Sequence, residues 1–316
     1  MHMYILKRIL STIPVLFIVS IVIFLIVHIT PGNPASVILG EEATATQIAE
    51  LEESLGLNLP IHEQYLTWVG GVFKGDLGMS YFMKEPVTQS ISSHLAPTLS
   101  LALLAQIIAL VIAIPIGVIA ANKRGTIMDQ SLMIFALLGM SVPSFLLALF
   151  LILLFGVQLG WLPVAGYKPL ADGLSIHLKY LILPAISLGA IQAALIARMT
   201  RSSMLEVLNM NYIKSAKAKG VKRASLIFKH AFRNASLPIL TVVGGTFGTL
   251  ITGAVVTETI FNIPGIGQLI INSVERRDFA VIQGVVLFIT FIYVFLNLVI
   301  DLLYGLIDPR VRLDRK

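Results

Sequence analysis

An all-α integral membrane protein with six spanning helices is the architecture this sequence predicts, on three observations. Hydrophobic residues are 56% of the 316-residue chain and charged residues only 13%, with a mean hydropathy of +0.88. A soluble domain is about one-quarter charged, so the surplus apolar surface must face lipid. Apolar runs recur along the chain at about the 20 residues that a bilayer core requires. The charges, finally, are sorted by loop. Membrane topology produces that pattern and a soluble nucleic-acid-binding domain does not, although the net charge is +6. The chain has no cysteine, which excludes disulfides and thiolate metal sites.

The first span is expected over Ile9–Ile29, with Lys7 and Arg8 as its basic flank. Its apolar run is too long for a signal peptide, and it ends at Thr30-Pro31-Gly32 without a small-residue cleavage site. Residues 31–95 form a small helical insertion, too long for a mere connector. Within it Thr44 and Gln47 make a capping box for a helix whose apolar face is Ile48, Leu51 and Leu55, closed by Gly56. A second amphipathic run uses Ile61, Tyr65, Trp68, Val69 and Val72, and Gly75–Ser80 turns the chain. The remaining spans are expected at Thr98–Ala121, Ser131–Phe155, Tyr180–Ala197, Ile239–Val256 and Val281–Leu303. Pro14, Pro115, Pro143 and Pro184 punctuate them, which neighbouring helices tolerate in lipid. Gly244 and Gly248 stand in GxxxG spacing, suited to close packing inside one bundle or at a subunit interface.

Loop charges set the direction. The 30–97 segment carries Glu41, Glu42, Glu50, Glu52, Glu53, Glu63, Asp76 and Glu85 against only Lys74 and Lys84. Lys123 and Arg124 mark the next loop, Arg198 and Arg201 the fourth helix's exit, and Arg310, Arg312, Arg315 and Lys316 the tail. Positive loops stay inside, so both termini are expected in the cytoplasm and the insertion outside. The 257–280 loop is nearly balanced.

One cytoplasmic segment does more than carry charge. Between Tyr212 and Pro238 lie Lys214, Lys217, Lys219, Lys222, Arg223, Lys229 and Arg233, with no acid among them. Ala216 and Ala218 lead into Gly220, a helix followed by a glycine stop. Topology accounts for the charge but not for the ordered helix, which points to docking on a soluble partner.

The same residues carry a family resemblance. Tyr212-Ile213-Lys214-Ser215-Ala216-Lys217-Ala218-Lys219-Gly220, then His230-Ala231-Phe232-Arg233-Asn234 and Leu237-Pro238, resembles the cytoplasmic loop of ABC importer permeases of the dipeptide, oligopeptide and nickel branch. Lys214 and Ser215 stand where the wider importer motif has Glu and Ala, and the stretch to Leu237-Pro238 is longer than in sugar permeases. Both departures are typical of this branch. Pro31-Gly32-Asn33-Pro34, Gly75-Asp76-Leu77-Gly78 with Ser80, Ala197 to Glu206, Thr257–Phe261, Pro264–Gly267, Arg277-Asp278, Asp301–Tyr304 and Asp308-Pro309-Arg310 extend the match over almost the whole chain.

The resemblance implies a type I ABC importer permease fold, the first of two permease chains, in a prokaryotic inner membrane. It divides the chain into an N-terminal helix (1–30), an extracytoplasmic segment (31–95), a permease domain (96–306) with the coupling loop at 198–237, and a cytoplasmic tail (307–316). It also implies the partners: a similar second permease chain, two cytoplasmic ATPases and an extracytoplasmic binding protein. The short helices of the outer segment are suited to covering the outer mouth of the bundle, to touching a delivery protein or to packing on the membrane face. ATPase coupling falls to Tyr212, Lys214, Ser215, Ala216, Lys217, Ala218, Lys219, Gly220, His230, Arg233 and Asn234. ATP and Mg belong to the ATPases, and no cofactor is expected in this chain. Its own residues agree: G-x-x-x-x-G-K-[ST] and G-x-S-x-G are both absent. The histidines His2, His28, His62, His94, His177 and His230 show no ligand spacing. Glu258 and Asp301, the acids near span depth, lie by helix ends and suit anchoring better than a proton relay. The expected cargo is a short peptide, with nickel, a metal chelate or glutathione as alternatives. A stand-alone secondary transporter or channel is the competing class; its signature, paired discontinuous helices with ion-binding acids, is not evident.

Overall fold

The computed structural model describes residues 2–29, 34–40 and 43–307. Pro31–Asn33, Glu41, Glu42 and the tail from Asp308 lie outside them, as does the side chain of Asp301. The chain is mostly helical and separates into two compact units, Met1–Ala96 with Gly265–Phe295, and Pro97–Pro264 with Leu296–Lys316.

The first unit contains α1 (His2–Ile29), α2 (Pro34–Leu39), α3 (Ala45–Ser54), α4 (Ile61–Phe73) and the short hairpin β1 (Met79–Ser80) and β2 (Glu85–Pro86). It also takes the start of α5 (Val87–Asn122), all of α13 (Ile266–Glu275) and the start of α14 (Phe279–Ile307). The expected capping box is present: Thr44 Oγ1 accepts the Gln47 N–H at 3.3 Å, and Gln47 Oε1 accepts the Thr44 N–H at 3.0 Å. Gly56 ends α3 at φ +68°, with the Leu57 N–H returning to the Glu52 carbonyl. The apolar face of α4 lies on α1. Phe24 meets the rings of Tyr65 and Trp68 at 5.4 and 6.0 Å, and the Tyr65 hydroxyl is 2.8 Å from Ser20 Oγ. The hairpin is latched where the buried Ser80 hydroxyl donates to Asp278 Oδ2 at 2.6 Å, above a core of Val87, Ile91, Ile266, Leu269, Val281 and Val285.

The second unit holds the rest of α5, then α6 (Ile127–Ser141), α7 (Ser144–Leu151, continuing as a π-helix to Gln158), α8 (Leu174–Leu208) and α9 (Asn211–Ala218). Next, α10 (Arg223–Ser225) widens into a π-helical turn at Leu226–Phe232 and runs on as α11 (Arg233–Gly253), before α12 (Val255–Ile260). Its core forms where α5 meets α8. Ala105, Ala109, Ala113, Gly117 and Ala121 recur every fourth residue of α5 and are all buried. Such a stripe lets two backbones approach closely. At Gly117 an added Cβ would lie 2.7 Å from the Ala197 carbonyl oxygen, and at Gly189 one would lie 2.7 Å from the Ala105 carbonyl oxygen.

Four helices are long and apolar enough to cross a membrane: α5, α8, the continuous Arg223–Gly253 helix, and α14 over Phe279–Ile300. The pair Ile127–Ser141 and Ser144–Gln158 makes a fifth if taken together, and α1 supplies a shorter apolar stretch, Leu10–Ile26. The expected third span, Ser131–Phe155, is therefore corrected: it is bent by 97° at Val142-Pro143. Proline lacks the N–H and forces the preceding residue out of the helical region, and Val142 is extended at φ −86°, ψ 119°. The expected Ile239–Val256 span likewise stops at Gly253 and resumes at Val255.

Gly117→Ala should lower thermal stability in detergent by about 1–3 kcal/mol through overpacking against α8. Gly70→Ala in α4, where an added Cβ meets nothing within 4 Å, should be neutral or gain up to about 1 kcal/mol. Thermal unfolding of the two variants checks the pair.

Candidate functional site

The basic helix α9 begins directly after α8, separated by Asn209-Met210. It faces inward with Ile213, only 3% exposed, and with half-buried Ala216, which packs on the core beside α8 and the π-helical turn. Lys214, Ser215, Lys217, Ala218 and Lys219 are exposed. The helix is amphipathic, with a narrow apolar keel and a cationic outer face.

Its end is closed by backbone geometry. Gly220 sits at φ +80°, its N–H donates to the Lys217 carbonyl at 3.0 Å, and the Val221 N–H donates to the Ala216 carbonyl at 3.2 Å. These two bonds make a Schellman cap, in which the left-handed residue suits glycine. An added Cβ at Gly220 meets nothing within 4 Å, so the requirement there is conformational alone.

Three of the expected coupling residues come together behind α9. Asn234 Nδ2 donates to the Tyr212 hydroxyl at 2.7 Å and to the His230 carbonyl at 2.9 Å, and the Tyr212 hydroxyl donates to the same carbonyl at 3.4 Å. This knot joins α9 to the helix entering α11. Arg233 points to solvent and takes no part in it. Gly244 and Gly248 lie apart from this group: Gly248 is buried, and Gly244 leaves room for Ile300 of α14 in the same chain.

A second support was not singled out from the sequence. Arg201, near the end of α8, donates from Nε and Nη2 to both carboxylate oxygens of Asp129 at 2.6 and 2.8 Å. Asp129 is 2% exposed and also accepts the Gly125 N–H at 3.0 Å. Asp129 and Glu258 are thus both buried acids with a hydrogen-bonded carboxylate. The signal was Thr126-x-x-Asp129, a capping pattern, and Thr126 does accept the Asp129 N–H. On the far side of α9, Arg223 donates to Asn122 Oδ1 at 3.0 Å. The 122–129 loop is thus bonded to residues before and after the basic helix. Glu258 is fully buried in α12 and accepts the Thr98 hydroxyl at 2.6 Å. Among the described residues no three His, Asp or Glu side chains group as a metal site.

Residues 113–313 match the family model described as the binding-protein-dependent transport system inner membrane component, and residues 1–102 match the N-terminal model of the same systems. The chain belongs to this family. A probable peptide ABC transporter permease, y4tP of Sinorhizobium fredii, is 44% identical over 99% of this chain and 100% of its own length. The dipeptide transport permease DppB of Alkalihalophilus pseudofirmus is 44% identical over 98% of this chain and 99% of its own. The glutathione transport permease GsiC of Shigella flexneri is 41% identical over 98% of both. A chain of the MetNI methionine ABC transporter aligns with a TM-score of 0.58 at 18% identity, over 70% of this chain and 97% of that one. The fold is that of a type I ABC importer permease.

In this inner membrane component the basic helix is therefore pinned by one isoleucine, capped by one glycine and laced to α11 by Asn234. Gly220→Val should strain the cap by about 1 kcal/mol or more, because β-branched residues avoid positive φ. Membrane insertion should be kept, while co-purification with ATPase subunits falls. Gly220→Asn, tolerated in that conformation, should co-purify near the wild-type level.

Proposed function

We propose that this chain is one of two permease subunits of an ATP-driven importer of short peptides, sited in a prokaryotic inner membrane with both termini cytoplasmic. The observation that carries the proposal is α9: a cationic helix with one buried anchor and a closed end, exposed along its outer face. A docking surface for a soluble subunit needs that combination, and the family's systems supply two ATPases to fill it. ATP and Mg are used by those subunits, and this chain performs no covalent chemistry. Closure of the ATPases moves α9, the bundle rocks, and substrate handed over by an extracytoplasmic binding protein passes between this chain and a second, similar permease.

Peptide cargo is supported by the names of the relatives, a probable peptide permease and a dipeptide permease at 44% identity. Glutathione is the second reading, favoured by the GsiC match at 41%.

Two experiments test these statements. Single cysteines placed at Glu50 and Lys217 of this cysteine-free chain should label from opposite sides of the membrane with an impermeant reagent; labelling from the same side would overturn the orientation. Deleting the gene should abolish growth on dipeptides as an amino-acid source. Retained dipeptide use with loss of glutathione uptake would move the cargo to the second reading, and loss of nickel-dependent activity alone would move it to metals.

A further inference from the structure

Among the candidate spans, α11 differs in what it leaves uncovered. The exposed positions of its apolar stretch are Thr241, Gly245, Thr249 and the adjacent Thr252 and Gly253, steps of three or four residues that keep them on one face. No large hydrophobic side chain is exposed anywhere on α11. By contrast, α5 exposes Ile107 and Val111 at 55% and 68%, as a lipid-facing helix does. The open face of α11 has the wrong chemistry for acyl chains.

Its hydroxyls are arranged to accept. Thr241 Oγ1 donates to the Leu237 carbonyl at 3.2 Å, Thr249 Oγ1 to the Thr246 carbonyl at 2.7 Å, and Thr252 Oγ1 to the Gly248 carbonyl at 3.2 Å. With their protons committed, the lone pairs remain for a donor from outside the chain. Two glutamines meet α11 near the middle of their helices, Gln192 at the open face and Gln106 just behind it at buried Thr246. Gln192 of α8 donates to Thr249 Oγ1 at 3.2 Å, and its Oε1 has no hydrogen-bond partner. Gln106 of α5 is 6% exposed; its Oε1 accepts the Thr246 hydroxyl at 3.4 Å, and its Nε2 has no partner. An unpaired donor and an unpaired acceptor at this depth are costly unless a polar visitor satisfies them.

We propose that this face of α11, with Gln192 and Gln106, is the lane along which the main-chain amides and terminal ammonium of short peptides are hydrogen-bonded during passage. The lane carries hydroxyl, amide and glycine positions and no charge, so it binds the groups common to all peptides and ignores their side chains. This inference rests on the proposed peptide-import function.

The test uses the fully assembled transporter in proteoliposomes. Single cysteines at Thr241, Thr249 and Thr252 should react with a charged methanethiosulfonate during ATP turnover, while Val111→Cys should not, and excess dipeptide should slow the reaction at the lane. In parallel, Thr249→Val and Gln192→Leu should raise the uptake KM about three- to tenfold, the loss of one or two hydrogen bonds, whereas Thr249→Ser should keep it. Lane cysteines that never react would make the face a subunit contact and overturn the proposal. Reaction at a rate indifferent to peptide, or an unchanged KM in both variants, would overturn it too. If the wild-type complex moves no peptide, the function reading itself fails; the contrast between lane cysteines and Val111→Cys still decides whether the face is aqueous.

Discussion

Lipid gives two helices no hydrophobic reason to associate, so the approach of α5 to α8 has to be built from shape. Small side chains every fourth residue of α5 face Gly189, Ala193, Ala197 and Thr200 of α8, and at Gly117 and Gly189 the neighbouring helix fills the place a Cβ would take. Dispersion falls off steeply with a gap of half an ångström, so this contact tolerates little change. Everything else in the Pro97–Pro264 unit is arranged on α8. Helices α6 and α11 both pack along it, and α9 follows its C-terminal end after a short turn. A push on α9 therefore reaches α8 and, through the Tyr212–Asn234 bond, the helix entering α11 together.

Polar bonds hold the α9 end of that assembly in register, and they are unequal. The Asp129–Arg201 pair is bidentate with the carboxylate buried, and removing one partner of such a pair leaves a stranded charge, costing about 3–5 kcal/mol. The Arg223–Asn122 bond is exposed, and a bond of that kind contributes about 0.5–1.5 kcal/mol. The 122–129 loop is thus fastened firmly to the helix before α9 and lightly to the one after it. The knot of Tyr212, His230 and Asn234 ties α9 itself to that second helix.

How much of this was legible in the sequence depended on the range of the interaction. Local devices were legible: the Thr44–Gln47 box and the glycine stops at Gly56 and Gly220 depend on residues a turn apart, and the structure contains them. The apolar runs located the spans, because lipid leaves the backbone few options but helix. The bend at Pro143 was underestimated, since proline inside a span is often tolerated and only the neighbours decide whether the helix breaks. The π-helical turn at Leu226–Phe232 has no composition signature. Gly244 and Gly248 drew attention by spacing, yet Gly244 makes room for Ile300 of α14, a contact no local pattern encodes. The period-four alanines of α5 were readable but lie among so many apolar residues that the stripe does not stand out. Asp129 carried a capping signal; its partner Arg201, distant in sequence, did not.

The basic helix α9 also separates two jobs that one surface could have combined. Its cations, Lys214, Lys217 and Lys219, stand in solvent, where charge acts mainly on the rate of encounter with other molecules and is screened by salt beyond about 10 Å. Its position relative to the bundle comes instead from apolar and backbone terms that salt does not weaken, the Ile213 anchor and the Schellman cap at Gly220. Since α9 buries little of itself, those few fixtures set its place against α8 and the helix entering α11. That explains why a short exposed helix has a closed C-terminus, a buried anchor and hydrogen-bonded struts on both sides, when charge alone would have needed none of them.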